Sequence, residues 1–175
     1  TSADSSNNIG RDPVTGTKSV TVANGPVILN PSFEQGVDNW FFFTNGNASF
    51  TAEPPPGSHG LNSGRIRITN PDSGSNTQLF QKNITLESDT TYSFGLSYYS
   101  NTGNSVYVAL IKDTAPFTNY GLDLTVNLGS GWSNQSYLFT TTGFSGIVND
   151  ARIFFQFAPQ GQAGDDYRLD SINVG

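Results

Sequence analysis

Two carboxylates, Glu34 and Asp170, are the candidates for a metal site in this chain of 175 residues. Glu34 follows an apolar run at 27–29, and Asp170 lies in the last apolar run, at 167–174. If these runs are neighbouring strands, the two acids could meet, and carboxylate oxygens are ligands that Ca²⁺ prefers. The alternative is that Glu34 is a turn residue and Asp170 a solvated acid. With one His and no Cys, the chain is poorly suited to transition metals.

Catalytic residues are hard to assemble from this sequence. The single histidine, His59, lies in a loop-like stretch, PPPGSHGLNSG, and no G-x-S-x-G nucleophile motif is present. Only three residues are Glu, and most Asp residues occupy turns, so the paired carboxylates of a glycosidase are not evident. We therefore predict a protein that is not an enzyme; the alternative is a small polysaccharide lyase or hydrolase.

Aromatic side chains offer a binding surface. The chain has 13 Phe, 7 Tyr and 2 Trp, most of which must form the core. Strand alternation places three of them, Tyr99, Tyr107 and Phe154, away from the core face. Aromatic rings can stack on the C–H faces of sugars while polar groups bond the hydroxyls. Three polar side chains suit that role: Arg67, Gln78 and Gln156. The alternative is that a loop covers this face.

Short strands must position these groups. From residue 27 onwards, short alternating apolar runs recur about every ten residues, separated by Gly, Asn, Ser and Asp clusters, with no helical period. This pattern predicts an all-β fold, an antiparallel β-sandwich of about ten strands or jelly roll. Residues 1–26 read as a linker or arm with one possible edge strand at 19–22, and 27–175 as a single domain.

Composition excludes several partners. The net charge of −6 leaves no basic patch for nucleic acid. No apolar run approaches the roughly 18 residues that span a bilayer, so no membrane partner is expected. A chain that is acidic, polar and free of Cys and Met is typical of exported microbial proteins. We therefore expect a secreted, monomeric protein.

Five motifs, in order, carry a family resemblance. The first, VILNPSFEQGVDNW at 27–40, resembles the opening of carbohydrate-binding modules of families four, nine, sixteen and twenty-two. Four further stretches resemble later strands of these modules: SHGLNSGRIRI, QLFQKNITLESDTTYSFGLSY, GSGWSNQSYLFTT and YRLDSINV. The resemblance covers residues 27–174 and implies a galactose-binding-like β-sandwich with no catalysis. It also implies that the module holds a parent polysaccharide-degrading enzyme on its substrate.

The resemblance further implies a structural Ca²⁺. On the matching positions, Glu34 and Asp170 would supply side-chain oxygens, and Ser32 and Arg65 backbone carbonyls. Arg65 stands where the pattern usually has Lys, which leaves a carbonyl ligand unaffected. Ser171 replaces the usual second Asp of the closing motif, which puts ligation by that side chain in doubt.

In these families the sugar lies on the concave sheet face or on loops above it. The implied partner is an oligo- or polysaccharide of the β-glucan, mannan or xylan class. Trp40 is either a core residue or a stacking platform, and packing is the expected role of Trp132. The candidate sugar-binding residues are Trp40, Phe42, Arg67, Gln78, Tyr99, Tyr107 and Gln156. The alternative function is a structural or adhesive surface domain that binds no sugar.

Overall fold

A computed structural model describes residues 27–55, 60–70 and 76–175, and they form ten strands in two antiparallel sheets of five. Sheet 1 contains, in spatial order, β1 (Phe41–Thr44), β4 (Thr77–Glu87), β9 (Ile147–Ala158), β6 (Val106–Lys112) and β7 (Asn119–Val126). Sheet 2 contains β2 (Asn47–Glu53), β3 (Ser63–Asn70), β10 (Asp166–Val174), β5 (Thr91–Ser100) and β8 (Ser133–Thr140). The predicted all-β sandwich is confirmed.

Some strand ends differ from the sequence prediction, and two of them bear on the site. Residues 27–29 form no strand; instead, the backbone of Leu29 is hydrogen-bonded in both directions to the Gln81 side chain, at 2.8 and 2.9 Å. The apolar run TQLF at 77–80 predicts a short strand, but β4 continues to Glu87, because register shifts between Gln81 and Leu86 absorb Asn83, whose φ is +60°. The predicted arm at 1–26, with its edge strand, lies outside the described residues, as does His59.

The core lies between the sheets and follows the predicted alternation. Ile153, Phe155 and Phe157 of β9 are fully buried, and Phe94 and Leu96 of β5 face them from sheet 2. The residues between them in sequence point outward, so each sheet has its own outer face. In the described part of the chain, no helix is long and apolar enough to span a membrane.

Candidate functional site

The outer face of sheet 1 carries two rows of side chains that run across its five strands. The strand register aligns them directly, so members of a row are cross-strand neighbours. The first row is Phe43, Gln78, Gln156, Tyr107 and Thr125. The second row is Phe41, Phe80, Phe154, Ala109 and Asp123. We call these ten residues the sheet-1 face.

Aromatic rings form the apolar part of the sheet-1 face. Phe41 stacks on Phe80 with ring centroids 5.5 Å apart, and Tyr107 meets Phe154 edge to face at 5.7 Å. Phe41 and Phe43, on the edge strand, are 51 % and 49 % exposed, so half of each side chain faces solvent. This face therefore presents aromatic surface to solvent, as stacking on a sugar ring requires.

Two glutamines supply neighbouring amide groups in the first row. The Gln78 and Gln156 amide nitrogens both donate to Asn76 Oδ1, at 2.9 and 3.3 Å. A shared acceptor holds the two amides side by side between Phe43 and Tyr107. Amides both donate and accept, so they can pair with sugar hydroxyls in either direction.

Tyr107 is anchored from the neighbouring edge strand. Burial, together with a hydrogen bond to Asp123 and the charge of that carboxylate, raises the pKa of Tyr107 to about 12. The hydroxyl therefore stays protonated at neutral pH and donates to Asp123. Its ring is held in place beside Gln156, and the group is not a base.

Cations lie at one end of the sheet-1 face. Lys82 Nζ lies 5.5 Å from the Phe80 ring centroid, and the Arg152 guanidinium carbon lies 5.1 Å from it. Both cations approach one carboxylate, Asp113, at 3.1 Å from Lys82 and 3.6 Å from Arg152. The alternation of β4 and β9 puts both cations on the outer side of the sheet, one step beyond the second row.

The structure brings together only some of the predicted sugar-binding residues. Gln78, Tyr107 and Gln156 share the first row of the sheet-1 face. Arg67 and Tyr99 lie on β3 and β5 of sheet 2, on the opposite side of the sandwich, where the Tyr99 ring lies 6.1 Å from Trp132. The expectation of one shared face was wrong for these two residues, because alternation does not tell which sheet a strand joins.

Trp40 and Phe42 point inward. Trp40 is 7 % exposed, packs 5.3 Å from the Phe33 ring, and donates from Nε1 to the Asn30 carbonyl at 3.0 Å. Phe42 packs against the core and lies 5.8 Å from Phe50. Neither offers a ring face on the outer surface, so both sugar-site candidates are corrected to core residues.

Sequence reasoning missed Phe41, Phe43 and the charged groups Lys82, Arg152, Asp113 and Asp123. The signal for Lys82 was available, since Gln78, Phe80 and Lys82 follow one alternation. No such signal was available for Phe41 and Phe43. Residues 40–43 are all aromatic, so apolar and polar positions do not alternate there and the outward-facing residues cannot be identified.

The opening motif forms a compact turn that presents Glu34. The Asn30 side chain donates to the carbonyls of Gly36 and Asp38, both at 3.0 Å, and accepts from the Gln35 N–H. Glu34 Oε1 then accepts the backbone N–H groups of Leu61 and Asn62, each at 3.1 Å. The turn is thereby tied to the segment that leads into β3.

Glu34 and Asp170 converge on Gly60. A Cβ placed on Gly60 would lie 3.1 Å from Glu34 Oε1 and 3.7 Å from Asp170 Oδ2. Asp170 is 4 % exposed and has no Lys or Arg partner in the described part of the chain, so its buried charge lacks a counter-ion. The carboxylate oxygens of Glu34 and Asp170 are hard ligands of the kind that Ca²⁺ prefers. No set of three or more His, Asp or Glu suited to a metal occurs in the described ranges.

The two predicted carbonyl ligands are placed differently. Ser32 lies in the turn just before Phe33 and Glu34. Arg65 is inside β3, paired with Thr51 of β2 and Arg168 of β10, and its side chain bonds Glu53 at 2.8 Å. Its carbonyl belongs to β3, an interior strand of sheet 2 that is paired on both sides, so the structure gives no support to Arg65 as a ligand.

The chain is thus a five-on-five β-sandwich whose sheet-1 face pairs aromatic rings with amides. The family described as carbohydrate binding domain (CBM_4_9) matches residues 25–161. The chain belongs to this family, which confirms the resemblance noted in the sequence.

Solved structures share the fold. A family 4 module is 16 % identical, with a TM-score of 0.63 over 82 % of this chain and 99 % of its own. The N-terminal cellulose-binding domain of Cellulomonas fimi β-1,4-glucanase C is 17 % identical, with a TM-score of 0.58 over 82 % and 95 %. TmCBM61, solved with β-1,4-galactotriose, is 15 % identical, with a TM-score of 0.58 over 86 % and 97 %. No curated protein matches the chain.

Proposed function

We propose that this chain is a non-catalytic module that binds a polysaccharide of the β-glucan, mannan or xylan class on its sheet-1 face. The observation that carries the proposal is the first row, in which Phe43, Gln78, Gln156 and Tyr107 are adjacent across four strands. Rings at both ends and amides between them match a ligand with alternating apolar faces and hydroxyl edges.

The length of the first row also suits an extended polysaccharide chain. Four adjacent strands span three inter-strand spacings, about 14 Å. A flat row of this length accommodates part of an extended chain rather than one enclosed monosaccharide. An open site of this kind gains modest affinity, because the hydroxyls that it pairs must first lose water. Modest affinity is enough for a targeting role when several modules or a catalytic domain share one chain, because linked sites raise the overall avidity.

The wider role is part of the same proposal. The module would be secreted, would act as a monomer, and would hold the catalytic domain of a parent glycoside hydrolase or lyase on its substrate. The protonated, Asp123-bound hydroxyl of Tyr107 supports binding rather than base catalysis at this face.

A structural Ca²⁺ completes the proposal. Glu34 and Asp170 would hold the ion near Gly60, and it would supply the missing counter-charge to the buried Asp170. Because Glu34 also caps Leu61 and Asn62, the ion would join the opening turn to the start of β3 and to β10. Its role would be to stabilise the fold, away from the sheet-1 face.

Isothermal titration with soluble β-glucan, mannan and xylan tests the binding proposal. We expect binding to at least one polymer, and we expect Tyr107→Ala to weaken it about tenfold or more, as the loss of an aromatic anchor does. Tyr99→Ala is the matched control, since it removes the same side chain from the opposite sheet; it should leave affinity unchanged.

Three results would reject the proposal. Absence of heat with every polymer in the presence of Ca²⁺ would leave the structural or adhesive alternative, in which the exposed Phe41 and Phe43 contact a protein. Loss of binding in Tyr99→Ala, with Tyr107→Ala unaffected, would move the site to sheet 2. Release of reducing ends or unsaturated products by the isolated chain would favour the lyase or hydrolase alternative.

A further inference from the structure

The cationic end of the sheet-1 face has more positive than negative charge. Lys82 and Arg152 share the single carboxylate of Asp113. Lys82 forms the closer pair, and its side chain keeps 34 % of its surface exposed. Arg152 stands 3.6 Å from Asp113 Oδ1, an oxygen with no hydrogen-bond partner in the described residues. The side chains of Lys82, Arg152 and Asp113 thus sum to one positive charge in a chain of net charge −6. The next acid along β9, Asp150, whose carbonyl accepts the Asp113 N–H at 2.9 Å, has its carboxylate bonded by the Tyr120 hydroxyl at 3.0 Å.

Aromatic rings hold these cations on the binding surface. Lys82 Nζ lies 5.8 Å from the Phe41 centroid and 5.5 Å from that of Phe80. The Arg152 guanidinium is bordered by three rings, those of Phe80, Phe154 and Phe117, at 5.1, 5.5 and 5.8 Å. Cation–π contacts hold the two head groups against the rings of the second row, and that row separates them from the glutamines of the first row.

Asp123, the one acid among the ten residues of the sheet-1 face, lies far from the cationic end. Asp123 is on β7, and Arg152 is on β9 with β6 between them, which places them two inter-strand spacings, about 10 Å, apart. Asp123 already accepts the Tyr107 hydroxyl. At physiological ionic strength the Debye length is about 8 Å, so Asp123 is largely screened from Lys82 and Arg152.

Resting on the proposed function, we propose that the sheet-1 face prefers polysaccharides that carry carboxylates, that is, uronic acid residues, and that Lys82 pairs with this carboxylate. The polymer backbone would lie along the Phe43–Tyr107 row, and an acidic sugar or side branch would reach across Phe80 to Lys82. Arg152 keeps Asp113 partly engaged, which leaves the Lys82 ammonium able to exchange partners.

Matched polymers that differ only in charge test this preference. One pair is glucuronoxylan and its carboxyl-reduced form; the other is soluble β-glucan and its C6-oxidised form. At 0.15 M salt we expect the charged member of at least one pair to bind about threefold more tightly, as one exposed ion pair provides. The preference should disappear at 1 M salt, where the Debye length is about 3 Å.

Variants locate the effect. Lys82→Gln should abolish the preference, and Lys82→Arg should retain it. Asp113→Asn should increase the preference, because it removes the competing carboxylate. Arg67→Gln is the charge-matched control: it deletes one positive charge from sheet 2, where Arg67 has no ion-pair partner among the described residues, and should change nothing.

The outcomes separate this inference from the function beneath it. Equal affinity for both members of both pairs, or tighter binding of the neutral ones, would overturn the uronic acid preference and leave polysaccharide binding intact. A preference that survives Lys82→Gln, or that is lost in Arg67→Gln, would overturn the assignment to Lys82. Absence of binding to every polymer, mannan included, would overturn both proposals.

Discussion

The ring of Phe33 lies directly against the backbone of Gly64. A Cβ on Gly64 would stand 2.6 Å from Phe33 Cζ, closer than a real carbon contact allows. Phe33 is fully buried and belongs to the N-P-S-F-E motif, whereas Gly64 lies 31 positions later at the start of β3. The contact joins the two motifs in this chain: one supplies a ring, and the other a strand position with room for it.

Gly64→Ala should therefore be destabilising. The added methyl group collides with a ring that is itself packed against Trp40 and Phe50, so the ring cannot easily move away. Overpacking of this kind costs about 1–3 kcal/mol. Urea unfolding monitored by tryptophan fluorescence measures the loss. Gly129→Ala is the control, because a Cβ there meets nothing within 4 Å, and equal losses in both variants would contradict the packing argument.

The sequence predicted the faces of the strands but not their order. Tyr99 and Tyr107 both alternate with core residues, and both are half-buried on an outer face. They lie on opposite sides of the sandwich because β5 joins sheet 2 and β6 joins sheet 1. Period-2 patterning is a property of one strand, whereas the sheet that a strand joins depends on pairing with strands far away in the chain.

The sequence did not allow the ion pairs on the sheet-1 side to be predicted. Lys82 and Asp113 are 31 positions apart and meet only because β4 and β6 both flank β9. Glu34 and Asp170 illustrate the opposite case. They were identified as a pair from the expected proximity of the terminal strands, and the structure places both beside Gly60, although 27–29 is not a strand.

Trp40→Phe should reduce stability without changing sugar affinity. The substitution loses the hydrogen bond from Nε1 to the Asn30 carbonyl, which then lacks that donor, and leaves a small void beside Phe155. A decrease of about 1–3 kcal/mol in the free energy of unfolding is expected. Thermal unfolding and titration with the best-bound polymer separate the two effects. A large loss of affinity in a folded Trp40→Phe variant would contradict the assignment of Trp40 to the core.

Chelation of Ca²⁺ should lower the melting temperature by several degrees. An ion that binds only the native state stabilises it in proportion to the logarithm of its free concentration over Kd. Asp170→Asn should remove this response, since it replaces the buried carboxylate beside Gly60 with a neutral group of the same shape. Differential scanning calorimetry with and without chelator measures both.

Asp38→Asn is the control for the calcium experiment. Asp38 is an exposed acid of the opening turn whose carboxylate makes no hydrogen bond or ion pair in the described part of the chain. Its chelator response should equal that of the wild type. If Asp170→Asn behaves in the same way, Glu34 and Asp170 do not hold the ion.

Acid should destabilise the protein through Asp165, a carboxylate only 1 % exposed. It accepts four hydrogen bonds: from the Gln162 N–H at 2.7 Å, and from the side chains of Thr102, Asn104 and Tyr167, each at 2.8 Å. Burial opposes its ionisation, but these bonds outweigh burial and lower the pKa of Asp165 below its usual value. A carboxyl with a lowered native pKa adds stability above its unfolded pKa of about 3.9 and loses it as the pH falls through the native pKa.

Asp165→Asn should therefore cost most near neutral pH and least in acid. At pH 6 we expect a loss of about 2–3 kcal/mol, since hydrogen bonds to a charged group contribute about 1.5–3 kcal/mol each and Asn retains some of them. Below about pH 4 the difference from the wild type should narrow as the pH falls toward the native pKa of Asp165, because the unfolded wild-type chain binds this proton before the native state does. Urea unfolding at closely spaced pH values measures both curves. A difference that stays constant from pH 6 to pH 2 would show that the four bonds do not depend on the charge of Asp165.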